Sequence, residues 1–180
     1  MSLSPNAISF IALTNEYCQV MERARESSRE EFVKTMLKLL PRIYMAATDL
    51  DVAALDEDDS YIPSFLEEEY YESVRRNVEA LLGPDDVYLE VFEEDMKYSD
   101  TPIAASIAEG LCDIFQVLYN FISTVRELDP DEMAGPLAAV KEDFGAYWSQ
   151  PLCNVLRALN HVRYNSAEED DQETDNPDFA

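Results

Sequence analysis

Carboxylates are the reactive groups this sequence supplies in quantity, and a few of them sit where chemistry could use them. Asp86 and Tyr88 lie just past Gly83-Pro84, and Asp113 lies inside the most apolar stretch of the chain. A carboxylate on so apolar a segment is costly unless it is paired or hydrogen-bonded. Asp86, Tyr88 and Asp113, with Trp148 and Arg157 from the C-terminal part, are therefore the candidate binding residues. Together they could line a small polar pocket for a ligand, or a carboxylate site for a divalent metal and an enzymatic reaction. The competing expectation is structural: Asp113 faces solvent, or is clasped by Arg157 or a loop amide. The runs Asp56-Glu57-Asp58-Asp59, Glu67-Glu68-Glu69 and Glu93-Glu94-Asp95 offer the oxygen ligands that Ca²⁺ and Mg²⁺ prefer. They lack the turn glycine and position-twelve glutamate of an EF-hand, and consecutive acids on a helix diverge by about 100°. They are expected to be solvated acidic faces, and no metal site is assigned.

Other chemistries are excluded by composition. The chain has one histidine, His161, too few for most zinc, haem and di-iron ligand sets or for an imidazole-based triad. His161 falls off the apolar stripe near the expected end of the last helix, where a cation suits the helix dipole. Four glycines, none in a phosphate-cradling cluster, exclude the dinucleotide and P-loop fingerprints. Cys18, Cys112 and Cys153 are odd in number and widely spaced, each within an apolar helical pattern. They read as buried, reduced thiols of a cytoplasmic protein, not as a disulfide framework. No catalytic residue and no cofactor is expected, and the balance leans away from an enzyme.

Charge gives the positive signal. The 38 acids outnumber 13 bases for a net −25. Residues 1–50 are neutral, whereas residues 51–100 hold seventeen acids and three bases, a net of −14, and the tail from Asn165 adds seven acids and no base. Such a field repels nucleic acid and anionic membranes, which are bound through Lys and Arg. It attracts a basic protein surface, or serves solubility alone. Tyrosines set in acidic loops are apolar on the face and polar at the tip, as interfaces favour. Tyr61, Tyr98, Glu93, Glu94 and Asp95 are accordingly the candidate interface residues. The expected function is a non-enzymatic acidic module that recruits a basic protein partner.

The elements that must hold these residues are helices from end to end. Ser4-Pro5 opens a first stripe of Phe10, Leu13, Tyr17 and Met21 at three-to-four spacing. Ser28 with Glu31 has the pattern of a capping box before a second stripe from Phe32 to Ala47, which Pro41 should kink but not break. Residues 49–64 form a long acidic loop, and a third helix runs from near Ser64 to Gly83-Pro84. Residues 85–101 alternate weakly at Val87, Leu89 and Val91, an extended piece with no evident strand partner. Ser106 and Glu109 precede the most apolar helix, with a main stripe of Ile107, Leu111, Ile114, Phe115, Leu118, Ile122 and Val125, which should be central. Asp129-Pro130 opens a fifth helix and Pro151 a sixth. The fold class is all-α: one bundle of about six helices over residues 1–164, and a disordered acidic tail over 165–180.

Several stretches in this order carry a family likeness. They are Leu81-Leu82-Gly83, Asp86 and Tyr88, Val91-Phe92, Leu111 with Asp113-Ile114-Phe115 and Leu118, Trp148, and Leu156-Arg157-Ala158-Leu159. The N-terminal run of Phe10, Leu13 and Glu16-Tyr17-Cys18, and Leu39-Leu40-Pro41-Arg42-Ile43-Tyr44, fit the same pattern. The sequence resembles the family of helical bacterial proteins known as the domain of unknown function DUF5063, over roughly residues 8–163. The resemblance implies an all-helical cytosolic protein and supplies no mechanism. In that family the region before the last helix often carries histidine, tryptophan, glycine and another histidine. Here it reads Tyr147-Trp148-Ser149-Gln150-Pro151, so imidazole chemistry in that stretch is closed to this chain.

Overall fold

The structure, a computed structural model, describes residues 3–52, 61–90 and 102–173, with side chains up to Asn165. Helix α1 (Pro5–Glu22) starts where the Ser4 hydroxyl accepts a hydrogen bond from the Ala7 amide at 3.1 Å. Helix α2 (Arg29–Thr48) starts in the same way at Ser28, which accepts from the Glu31 amide at 3.2 Å. Each such cap satisfies an amide that the first turn leaves without a partner. Pro41 lies inside α2, which runs on through it as a single helix.

Helix α3 (Glu68–Leu82) begins one turn later than the sequence suggests. The backbone amides of Phe65 and Leu66 both donate to Asn120 Oδ1 at 2.8 Å, so this entry segment is bonded across to another helix and not into its own first turn. After Gly83, which takes a φ of +58° that suits glycine, a short 3-10 turn ends at Asp86.

Strand β1 (Val87–Leu89) then pairs antiparallel with strand β2 (Ala104–Ser106). The extended piece therefore does have a partner, contrary to the sequence expectation. Val87 lies opposite Ser106, Tyr88 opposite Ala105 and Leu89 opposite Ala104. Three residues of Ala-Ala-Ser carry no strand signature, and the pairing spans a gap that no local pattern announces.

Helix α4 (Ile107–Arg126) is central, with Leu111, Cys112, Ile114, Phe115, Leu118 and Phe121 fully buried. Asn120 and Asp113 are among its polar ties to neighbouring elements. Gly110 lets it meet the last helix closely: a Cβ there would stand 2.5 Å from Val155 Cγ1. A capping box between Asp129 and Glu132 opens a 3-10 turn, followed by α5 (Ala134–Asp143). A π-helical turn over Phe144–Trp148 joins α5 to α6 (Ser149–Glu173) without a loop. Pro151 thus falls in the first turn of α6 and does not open it.

Helix α6 runs to Glu173, past Tyr164 where its apolar stripe ends, and residues 174–180 lie outside the described part. His161 is consequently mid-helix, and the dipole argument for it does not apply. The core is continuous: Phe10 packs on Phe121 with ring centroids 5.4 Å apart, and Phe144 meets Trp148 edge-on at 4.5 Å. Among the described residues no helix is long and apolar enough to cross a membrane.

Candidate functional site

Two adjoining grooves flank the β-ribbon, and both draw on α6. The first, of about 530 Å³, lies between the ribbon, the N-terminal half of α4, the π turn and the start of α6. Helical spacing places Glu109, Gly110 and Asp113 of α4 along one wall, and Tyr88, Glu90 and Ala104 of the ribbon on another. Tyr147, Gln150 and Asn154 close it from the π turn and α6. The extra residue of a π turn re-aims side chains, and such turns recur at functional sites. Here it brings Ala146 and Tyr147 to the rim while Trp148 points inward.

Hydrogen bonds fix half of these groups and leave the others available. The Tyr71 hydroxyl donates to Asp113 Oδ1 at 2.7 Å. Burial, then the bond to Asp113, hold that phenol well above its ordinary pKa, so it stays a donor. Glu90 is held at both oxygens, accepting from the Tyr88 hydroxyl at 3.0 Å and from Asn154 Nδ2 at 3.3 Å. Asp113 Oδ2 and the exposed Glu109 carboxylate accept no hydrogen bond among the described residues. These two carboxylates stand one helical turn apart, a like-charged spacing that costs a few tenths of a kcal/mol when nothing neutralises it. Among the described residues no lysine, arginine or histidine lines the groove. Tyr147 is half exposed, and its phenol is raised by burial first and then by the charges of Asp113 and Glu109. Among the described residues no three His, Cys, Asp or Glu side chains converge as a metal set would require.

The second groove, of about 520 Å³, runs between β1 and the middle of α6. Val87, Leu89, Arg157 and His161 line it, and His161 Nδ1 accepts from Asn165 Nδ2 at 2.6 Å. Arg157 is exposed and forms no ion pair among the described residues.

The residues singled out by sequence are thus distributed, not convergent. Asp86 is buried and works as a cap: Oδ1 accepts from the Ala108 amide and Oδ2 from the Ser106 hydroxyl, both at 2.7 Å. Asp113 lines the first groove, Arg157 the second, and Tyr88 stands on the wall between them. The clasp on Asp113 is Tyr71, not Arg157 or a loop amide. Trp148 is fully buried, its indole N–H donating to the Val140 carbonyl at 3.1 Å, which leaves it no face toward a ligand. Tyr61 is exposed, whereas Glu93, Glu94, Asp95 and Tyr98 lie outside the described residues. Cys18 and Cys112 are buried, the latter thiol pushed up to about 12 chiefly by burial, but Cys153 is exposed, contrary to expectation. Sequence reasoning missed Glu90, Glu109, Tyr147 and Asn154. The four-residue spacing of Glu109 and Asp113 was the one signal that could have found part of this set.

The family described as a domain of unknown function, DUF5063, matches residues 1–165. The chain belongs to the DUF5063 family. This DUF5063 protein is also similar to the crystal structure of protein BF1032 from Bacteroides fragilis. The two are 33% identical and superpose with a TM-score of 0.76, over 90% of this chain and 94% of the other. No curated protein matches the chain significantly. Within the DUF5063 domain, the stretch Tyr147–Pro151 supplies Tyr147, Gln150 and Pro151 to the first groove.

Proposed function

We propose that this DUF5063 protein is a non-enzymatic cytosolic binding module that receives a basic segment of a protein partner in its first groove. The observation that carries the reading is the described lining of that groove, in which Glu90, Glu109 and Asp113 stand with no lysine, arginine or histidine. Two of these carboxylates retain unused acceptor oxygens, and the Tyr147 ring at the rim offers a face on which a cation can sit. A guanidinium or ammonium entering there relieves the like-charge pair on α4 and finds polar partners already held in place by Tyr71, Tyr88 and Asn154. The surrounding net charge of −25 steers a basic partner toward the molecule before contact. A carboxylate site built on Asp86 and Asp113 finds less support, since Asp86 is occupied in capping α4.

The test is fluorescence anisotropy of a labelled Arg/Lys-rich octapeptide against the full chain. The expected result is saturable binding that weakens with salt. Glu109→Gln with Asp113→Asn should reduce affinity at least ten-fold, about 1.4 kcal/mol. A control of equal charge change outside the groove, Glu142→Gln with Asp143→Asn, should shift it far less. Equal losses in the two double variants, or no binding at all, would overturn the reading.

A further inference from the structure

The groove between the 3-10 turn Ala24–Glu26 and helix α3 runs against the composition of the molecule. In a chain of 38 acids and 13 bases, its lining among the described residues, Arg25, Ser73, Arg76, Asn77, Ala80 and Leu81, contains two guanidinia and no carboxylate. The five residues from α3 follow helical spacing, so they form one face of that helix, and Arg25 comes from the turn packed against it. Three cations elsewhere on the molecule are already engaged: Arg29 pairs with Asp85, Lys34 with Glu30, and Arg75 with Glu72 and Glu79. Arg25 forms no hydrogen bond or ion pair among the described residues. Arg76 spends only its Nε, which donates to the Glu72 carbonyl at 3.2 Å, and keeps its terminal nitrogens.

We infer that this groove, separate from the acidic one, is an anion site for a phosphate group, either free phosphate or a phosphomonoester. A guanidinium presents its donors as a planar fork that matches two phosphate oxygens. Two forks from different elements suit an anion with three or four oxygens better than a carboxylate, which has two. The Ser73 hydroxyl and the Asn77 amide supply further donors, and Ala80 and Leu81 form an apolar floor. On its far side Arg76 borders Glu67, Glu68, Glu69 and Glu72, of which Glu72 is neutralised by Arg75. The net negative field opposes the approach of an anion, but it is screened beyond about 8 Å at physiological ionic strength, so direct contacts decide.

The experiment is a titration of the full chain, labelled with ¹⁵N, followed at the arginine Nε–H resonances. Inorganic phosphate is added at ionic strength held constant with sodium chloride, and a phosphoserine peptide is titrated in parallel. Saturable shifts at Arg25 and Arg76 are expected, with Arg29 unmoved. Arg25→Gln and Arg76→Gln should each raise the dissociation constant at least ten-fold; both positions are exposed, and the melting curve of each variant checks its fold. Tighter binding of the phosphoserine peptide would assign the site to phosphomonoesters, and equal binding to the free anion. Shifts that sodium chloride reproduces, or an Arg25→Gln, Arg76→Gln double variant that binds like the parent, would overturn the inference.

Discussion

Asp86 shows how a single carboxylate can look like a binding group and serve the fold. It is buried beside the apolar α4, which without partners would cost several kcal/mol. Its two oxygens instead take the Ala108 amide and the Ser106 hydroxyl, and Ser106 in turn accepts from the Glu109 amide. One side chain thus organises the whole N-terminus of the central helix, where negative charge is also favoured by the helix dipole. Asp86→Ala strands a buried amide and a hydroxyl. It should destabilise the protein by about 2–3 kcal/mol, the sum expected for a lost cap and a charged hydrogen bond. Asp86→Asn, which keeps one acceptor, should lose about half as much. Urea unfolding measures both, and a ligand-binding role would instead lower affinity at unchanged stability. That Asp86 mattered was legible in the sequence, because a carboxylate beside a helix start is conspicuous. Its partner was not legible, because the bond to Ala108 spans 22 residues and depends on strand pairing. The same holds for Asp113: the cost of burying it was evident, but its partner Tyr71 lies 42 residues away.

At the scale of elements, α1, α2 and α4 were readable because each carries its own punctuation. Ser4, Ser28 and Ser106 sit at helix starts that they cap, Asp129 opens the 3-10 turn before α5, and the apolar stripes have the helical period. What escaped sequence reasoning is what depends on a second element. The β-ribbon is the main case, since its register places Val87 opposite Ser106 and so delivers Asp86 to α4. The π turn is another, since five residues of ordinary helical character acquire it only because α5 and α6 must join while Trp148 enters the core. Gly110 exposes the same dependence in packing. Glycine weakens a helix interior by about 1 kcal/mol relative to alanine, so propensity alone would favour Gly110→Ala. The close approach of Val155 reverses the sign, because a β-branched side chain has no flexible end to yield. Gly110→Ala should destabilise by about 1–3 kcal/mol, as overpacked sites do. In the Val155→Ala background the same change should become neutral or favourable. A double-mutant cycle by chemical unfolding checks the coupling, and additive effects would refute the contact.

At the scale of the whole molecule the dominant quantity is charge, and it was fully legible because it needs no geometry. Its distribution on the folded surface was not: the acidic groove and the Arg25–Arg76 groove both arise from helical spacing combined with packing between elements. A net −25 on 180 residues makes the compact state repel itself. The described ion pairs are few and partly exposed, the α3 set of Arg75 with Glu72 and Glu79 being the most developed, and exposed pairs contribute about 0–1 kcal/mol each. Repulsion therefore outweighs pairing, and screening should help the fold more than it harms it. Raising sodium chloride from about 20 mM to about 500 mM, which shortens the screening length from roughly 20 Å to roughly 4 Å, should raise the melting temperature by several degrees. Potassium chloride should act alike, since the effect needs no specific ion. The same salt that stabilises the bundle should weaken its capture of a basic peptide, so the two curves must move in opposite directions. A melting temperature that falls with salt would mean that attractive pairs dominate the surface, and the acidic excess would then have to be placed where its charges do not meet.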